Sequence, residues 1–234
     1  MAKESKRMRA LREKTGQKRY HSVQEAAQGV KACATAKFDE TVDMAFFLGV
    51  DPRHAEQMVR GTVALPHGTG KKMRVVVFCK QEAQQKAAMD AGAMEAGGEP
   101  LVEKVQGGWS DFDVAVATPD MMGLVGKLGK VLGPKGLMPS PKAGTVTPNV
   151  AEAVGEILKG KIDYRVDKNA NIHVAVGKAS FTEQQIMENV SAVLDSVLKA
   201  RPQSLKGQYI KACAVSSTMG PGFRIDPSLL VAVR

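Results

Sequence analysis

The rhythm of apolar and polar positions changes along the chain. Val23, Ala26, Ala27, Val30 and Ala34 recur at helical spacing behind Ser22 and Glu25, a capping-box pair, so a helix is predicted from Ser22 to about Ala34. Lys37-Phe38-Asp39-Glu40 then turns into a strand, in which Val42, Met44, Phe46 and Leu48 alternate with Thr41, Asp43 and Ala45. Gly49-Val50-Asp51-Pro52 ends that strand, and Gly61–Leu65 reads as the next one. Pro66-His67-Gly68-Thr69-Gly70 has the composition of a linker.

Beyond the linker the pattern is different. Arg74 to Cys79 is continuously apolar after its first residue, as in strands buried on both faces. A helix rich in Gln and Ala follows from Gln81 to about Ala91, then a second buried strand, Asp113–Ala117, then a helix from about Asp120 and a Gly-rich stretch. Val150 to Lys159 is the last helix of this region, and the strand–helix alternation predicts an open α/β layer. Past Gly160 the two-residue period returns: Tyr164–Asp167 and Asn171–Val176 flank Lys168-Asn169-Ala170 as an expected hairpin. Thr182 to Lys199 is an amphipathic helix with Ile186, Val190, Val193, Leu194 and Val197 on one face, and Tyr209–Val215 is a strand.

The outer segments share a style, antiparallel strands with helices, that the middle lacks. The simplest architecture has residues 1–67 and 160–234 folding together as an α+β domain, with an α/β domain, 68–159, inserted between them. Three separate small pieces fit the same pattern. Charge divides along the same line. Of a net +9 over 234 residues, residues 1–67 carry +4, residues 160–234 carry +4 and the middle carries +1. A basic protein of this kind expects a polyanionic partner, with nucleic acid favoured over a role in solubility alone. The sharpest block is Lys3, Lys6, Arg7, Arg9, Arg12, Lys14, Lys18 and Arg19 against Glu4 and Glu13. With Met8 and Leu11 three apart it reads as a short basic helix, available for phosphate contact through Lys6, Arg7, Arg9 and Arg12 or else simply solvated.

No apolar run approaches the ~20 residues of a membrane span, and the basic start lacks the apolar stretch of a signal peptide. Cys33, Cys79 and Cys213 have no paired spacing, so neither disulfides nor a zinc site is expected, and a reducing cytoplasmic setting fits. A phosphate-binding loop at Gly70-Lys71 fails because Leu65 and Lys72 occupy the positions of its first glycine and its hydroxyl. The dinucleotide fingerprint at Gly68-Thr69-Gly70 fails at Met73. His21, His54, His67 and His173 are scattered, and Asp111 and Asp113 read as a solvated pair; catalysis, a metal and a cofactor are not expected. A nucleotide-dependent enzyme using the middle α/β segment is the competing reading.

Two stretches stand out. Gly123–Lys142 begins with Leu124, Val125, Leu128 and Leu132 at helical spacing and breaks at Gly133-Pro134 into a turn carrying Lys135 and Lys142. With Lys127 and Lys130 it could hold RNA, or it could be a helix end closing the middle domain. Ser217-Thr218-Met219-Gly220-Pro221-Gly222 offers hydroxyls, a thioether and close backbone approach suited to RNA sugars, or is a strand-ending turn.

Together these stretches resemble a known family. Lys37–Val42, Arg60–Gly68, Gly123–Pro139, Gly177-Lys178-Ala179-Ser180-Phe181 and Ser217–Pro221 are similar, in order, to motifs of the universal ribosomal protein L-one family in its bacterial form. The resemblance spans nearly the whole chain, the few residues after Asp226 aside. It implies an α+β domain built from both chain ends, with an inserted Rossmann-like three-layer α/β domain. It further implies binding to 23S rRNA to form the mobile lateral stalk of the large ribosomal subunit, participation in release of deacylated tRNA from the exit site, and repression through the protein's own operon mRNA. A repressor standing apart from the ribosome is the alternative within this class. Carried onto this chain, the RNA surface would be Lys37, Phe38 and Thr41 with Ser217, Thr218, Met219 and Gly220. Phe38 and Met219 would lie on sugars, Thr218 would bond a 2′-OH, and Arg165 and Lys168 would add phosphate contacts.

Overall fold

The computed structural model describes residues 5–15 and 20–226. In chain order its elements are α1 (Lys6–Thr15), α2 (Val23–Cys33), β1 (Thr41–Leu48), β2 (Arg60–Ala64), β3 (Val75–Phe78), α3 (Glu82–Asp90), β4 (Glu95–Gly97), α4 (Glu99–Gln106), β5 (Val114–Ala117), α5 (Met122–Val125), α6 (Gly129–Leu132), α7 (Val150–Leu158), β6 (Lys161–Arg165), β7 (Asn171–Lys178), α8 (Glu183–Lys199), β8 (Ile210–Ser217) and β9 (Gly222–Ile225). The described residues separate into two compact units. One holds those up to Gly70 and those from Asp163 onward; the other is Lys71–Ile162.

In the first unit an antiparallel sheet runs in the order β7-β1-β8-β9. The alternation in β1 buries Val42, Met44, Phe46 and Leu48 on one face. Ile172, Val174 and Val176 of β7, Cys213 and Val215 of β8, and Phe223 and Ile225 of β9 are buried as well. α2 packs on β8 and β9, α8 packs on β7 and β2, and the two helices pack on each other. Each fully buried side chain of this size contributes about 1.5–3 kcal/mol. Both helices start from complete capping boxes, Ser22 with Glu25 and Thr182 with Gln185, each cap worth about 1 kcal/mol. At Gly29 a Cβ would lie 2.5 Å from the Phe223 ring, so α2 can approach β9 only through a glycine.

The hairpin predicted around Lys168-Asn169-Ala170 does not form. The chain does turn there, but β6 pairs with β2 while β7 pairs with β1. Asp167 ends the first strand by accepting the N–H groups of Asn169 (2.8 Å) and Asn171 (2.7 Å). Ala170 then takes a left-handed φ of 63°. Tyr164 holds β6 in its separate pairing by placing its hydroxyl against Ser196 Oγ (2.9 Å) on α8.

The second unit is a parallel sheet in the order β4-β3-β5. Its central strand is buried on both faces. Val76 and Phe78 face a core shared with Leu101, Val102 and Val105 of α4 and with Val125, Leu128 and Leu132. Val75, Val77 and Cys79 face Ala88 of α3 and Val150, Ala153, Val154 and Ile157 of α7. The continuous apolar run seen in the sequence is this double burial. The helix expected from Asp120 is broken into α5 and α6 by short 3-10 turns. Strands β4 and β9 and helix α4 had no clear pattern in the sequence: β4 spans only three residues and β9 four.

Candidate nucleic-acid interface

The antiparallel sheet register brings two distant stretches together. Val42 of β1 pairs with Ser217 of β8, and Thr41 pairs with Lys178 of β7. Residues 37–41, 178–180 and 217–220 therefore meet at one end of the sheet, beside a register shift between Val42 and Asp43. Such irregularities re-aim the side chains next to them. Phe38 is 55% exposed and Met219 is 46% exposed, an exposure that Met89 and Met94 of the second unit share; what sets the pair apart is that their two loops meet.

Beneath them lies a carboxylate. Glu40 is 1% exposed. Its carboxylate accepts the N–H of Ala36 (3.0 Å) and the N–H of Met219 (2.9 Å), tying the loop before β1 to the turn after β8. Burial raises its pKa, but the Met219 and Ala36 N–H groups, the Ser217 hydroxyl and the Arg7 charge outweigh that and hold it below the ordinary carboxylate value. Ser217 Oγ is buried without a hydrogen bond of good geometry, close enough to add to this field.

Thr218 completes the link. Its N–H donates to Thr41 O (3.0 Å), its hydroxyl donates to the same oxygen (3.2 Å), and its Oγ1 accepts the Thr41 N–H (3.0 Å). Lys178 Nζ donates to Thr41 Oγ1 (2.9 Å), and Ser180 bonds Asp39 through its N–H (3.1 Å) and its hydroxyl (2.9 Å). Gly220 closes the turn, its N–H donating to Ser217 O (3.1 Å). A Cβ at Gly220 would lie 2.4 Å from Ser217 Oγ, which leaves room for glycine alone. The turn does join β8 to β9, so the strand-ending reading of Ser217–Gly222 and its exposure as a surface describe the same object.

The structure thus groups Lys37, Phe38, Thr41, Ser217, Thr218, Met219 and Gly220. Lys37 is exposed and Ser217 is buried beneath the turn. Arg165 and Lys168 are not part of this group. Both are exposed, Arg165 at 3.6 Å from Met58 Sδ, near the 167–170 turn that adjoins Leu48 at the other end of β1. Seven residue steps of strand separate the ends, about 24 Å. Lys6, Arg9 and Arg12 are exposed on α1, which buries Leu11. Arg7 on the same helix reaches the cluster: its Nη2 donates to Met219 O and its Nη1 to Thr35 Oγ1 (3.5 Å). Lys3, Lys18 and Arg19 of the basic block lie outside the described residues.

Sequence reasoning did not find Glu40 and Arg7 as partners of the turn, or Lys178 as a partner of Thr41. Glu40 lies within a motif already singled out, but a carboxylate beside a strand gives no sign of burial. Lys178 and Ser180 were present in the Gly177–Phe181 motif without a role.

In the second unit the Gly123–Pro139 stretch uses its apolar half inward, with Val125, Leu128 and Leu132 fully buried, and leaves Lys127, Lys130 and Lys135 exposed. The Asp111–Asp113 pair is not free: Asp113 accepts Lys71 Nζ (2.7 Å) and Arg74 Nε (3.2 Å), and Asp111 accepts Arg74 Nη1. An open hollow of about 730 Å³ lies at the carboxyl end of the parallel sheet. Its lining sets Glu82, Glu95, Glu99 and Asp120 against Lys80 and Lys104, and Lys104 is itself paired with Glu95 (2.8 Å). That sign of charge repels a nucleotide phosphate. Among the described residues no group of three or more His, Cys, Asp or Glu could hold a metal ion, and no helix is long and apolar enough to cross a membrane.

Comparison with known proteins bears on the same stretches. The chain is 57% identical over 228 residues to the large ribosomal subunit protein uL1 of Beutenbergia cavernae, covering 97% of this chain and 95% of that protein. It is 56% identical over 224 residues to the protein of the same name from a Nocardioides species, covering 96% and 93%. The protein of that name from Leifsonia xyli is 56% identical over 226 residues, covering 97% and 98%. The sequence pattern of the Ribosomal protein L1p/L10e family matches residues 30–221, a span that takes in both loops of the cluster and the whole second unit. This chain belongs to that family.

Proposed function

We propose that the protein is a structural constituent of the large ribosomal subunit and binds 23S rRNA through the cluster at the Thr41 end of the sheet. The carrying observation is the pair of exposed apolar side chains, Phe38 and Met219, on loops tied together by Glu40 and Thr218. A pre-ordered apolar surface with a fixed hydroxyl suits ribose faces and 2′-OH groups. Lys37 with Lys6, Arg9 and Arg12 of α1 supplies phosphate contacts, and Arg165 and Lys168 supply more at the far end of the sheet. Arg7 is engaged within the protein and has a different part.

In this reading residues 1–67 and 160–234 are the rRNA-binding domain and 68–159 an inserted Rossmann-like domain. The complex forms the mobile lateral stalk and moves with deacylated tRNA leaving the exit site. The same surface binds a stalk-like element of the operon's own mRNA and represses it. The protein works in the cytoplasm on the ribosome, without a cofactor and without catalysis. The relatives' shared name, large ribosomal subunit protein, supports the ribosomal part. Sedimentation of cell extract with footprinting of 23S rRNA tests it. The protein should travel with the large subunit and protect one stalk region, and Phe38→Ala with Met219→Ala should lose the protection. Absence from the large subunit would refute the ribosomal reading, leaving a free messenger repressor.

A further inference from the structure

The peptide groups of Met219 are gripped from both sides. Its N–H goes to the buried carboxylate of Glu40 (2.9 Å), and its carbonyl receives Arg7 Nη2 from α1. The same guanidinium spans to Thr35 Oγ1 (3.5 Å), and the other Glu40 oxygen takes Ala36 N–H (3.0 Å). Both partners therefore also hold the 35–36 segment that leads into Phe38. Two opposite charges, the buried Glu40 and the exposed Arg7, are bonded to backbone and to a hydroxyl at the point where two exposed apolar side chains are displayed. Two of the five N–H donors of the guanidinium are committed to these acceptors, so the protein fixes the orientation of the fork.

From this we infer that Arg7 and Glu40 are positioning residues of the RNA surface: they act on RNA through the Met219 backbone and the Thr35–Ala36 segment rather than by touching it. The inference rests on the rRNA-binding reading above. It divides the basic helix α1 by function. Lys6 and Arg9 are exposed. Arg7 bolts the helix to the turn, and the buried Leu11 one turn further on seats it.

Phosphate contact and positioning leave different signatures. Losing one phosphate contact reduces the slope of log affinity against log salt by about 0.7–0.9 and weakens all RNAs alike. Losing a positioning group leaves the slope unchanged and weakens the preferred RNA selectively. The experiment measures binding of the full-length protein to a 23S rRNA stalk fragment, and to an unrelated hairpin of equal length, from low to high salt. Arg7→Ala is expected to weaken stalk-fragment binding about tenfold, the loss of a charge-assisted bond, with an unaltered slope and unaltered hairpin binding. Arg7→Lys keeps the charge but cannot span both acceptors, so it should recover little. Arg9→Ala is the contrast and should flatten the slope. Glu40→Gln, which turns one acceptor into a donor facing an N–H, should match Arg7→Ala in selectivity, with folding checked by circular dichroism. Should Glu40→Gln misfold, the Arg7 series decides alone. A flattened slope for Arg7→Ala, or full rescue by Arg7→Lys, overturns the inference while leaving the rRNA reading standing. If the wild-type protein does not prefer the stalk fragment over the hairpin, both fall.

Discussion

Thr218 offers the sharpest test of the proposed RNA surface, because its hydroxyl can be counted out. A threonine hydroxyl has one proton to donate and two lone pairs to accept with. The proton goes to Thr41 O (3.2 Å), and one lone pair takes the Thr41 N–H (3.0 Å). A single lone pair remains on a side chain exposed to solvent. Thr218 can therefore only accept from RNA, and its partner has to be a donor, such as a 2′-OH. Thr218→Val keeps the shape and removes all three possibilities. In the free protein water replaces the lost partners at this exposed sheet end, so unfolding stability should fall by only about 1 kcal/mol. In the complex the donor on the RNA is left buried and unpaired, which costs about 1–3 kcal/mol, or roughly 5- to 150-fold in Kd.

The assay is titration of the stalk fragment with both proteins at one salt concentration, since affinities at different salt cannot be compared. A 2′-deoxy scan through the protected nucleotides then locates the donor. At the right sugar the deoxy substitution should weaken the wild-type protein and leave Thr218→Val almost untouched, which is the coupling a double-mutant cycle detects. An unchanged Kd for a folded Thr218→Val protein would remove the residue from the interface. Strict additivity at every sugar would leave it there without the 2′-OH.

Other expectations concern the second unit and the core. Asp113 is lowered to about 2, first by the Lys71 ammonium and then by the Arg74 N–H and guanidinium against the opposing effect of burial. A depressed carboxylate contributes stability that is present above its unfolded pKa of about 3.9 and is lost as pH falls towards 2. Asp113→Asn should therefore cost about 1 kcal/mol at pH 7 after allowing for solvent screening, with the gap in thermal melts closing below pH 4; a gap independent of pH would contradict this. Burial pushes the Cys213 thiol up to about 12 and raises that of Cys79, so neither should react with iodoacetamide at pH 8 until urea unfolds the chain, as mass spectrometry would report. Gly126 has right-handed helical backbone angles and nothing within 4 Å of an added Cβ. Gly126→Ala should thus stabilise the protein by about 0.5–1 kcal/mol, and a destabilised variant in denaturant titration would show that the open space is not real.

Much of this architecture was legible in the chain because periodicity and burial coincide. Thr41–Leu48 alternates cleanly since one face is core and the other is open, and Val75–Phe78 does not alternate since both faces are core. The expected hairpin at Lys168 failed for a reason that local pattern does not carry. Two strands flanking a tight turn ordinarily pair, yet β6 is drawn to β2 and anchored by Tyr164, and neither partner is near in sequence. The short β4 and β9 lack the length to show any period. At the site, the loops were visible as motifs, and their meeting was not, because register across β1 and β8 joins residues 177 positions apart. Glu40 was hidden most completely. Nothing about a glutamate after an aspartate distinguishes a solvated charge from one that is 1% exposed and bonded at both oxygens.

That hidden carboxylate alters what the net charge of the chain signifies. A basic excess concentrated at the two ends suggests a surface that works by attraction alone. At the cluster, an aromatic ring, a thioether and a neutral hydroxyl are exposed beside Lys37, while the buried Glu40 and the Arg7 guanidinium are bonded to the Met219 backbone that holds them. Attraction of phosphates falls steeply with salt and treats sequences alike. An ordered apolar surface with one fixed acceptor does neither, since burying Phe38 and Met219 requires a partner of matching shape and Thr218 requires a donor at one position. The ordering matters as much as the contacts, because loops already tied by Glu40, Arg7 and Thr218 have little conformational entropy left to lose on binding. On the proposed rRNA-binding reading, affinity at low salt should therefore follow the exposed lysines and arginines, and discrimination at high salt should follow the residues that order the two loops.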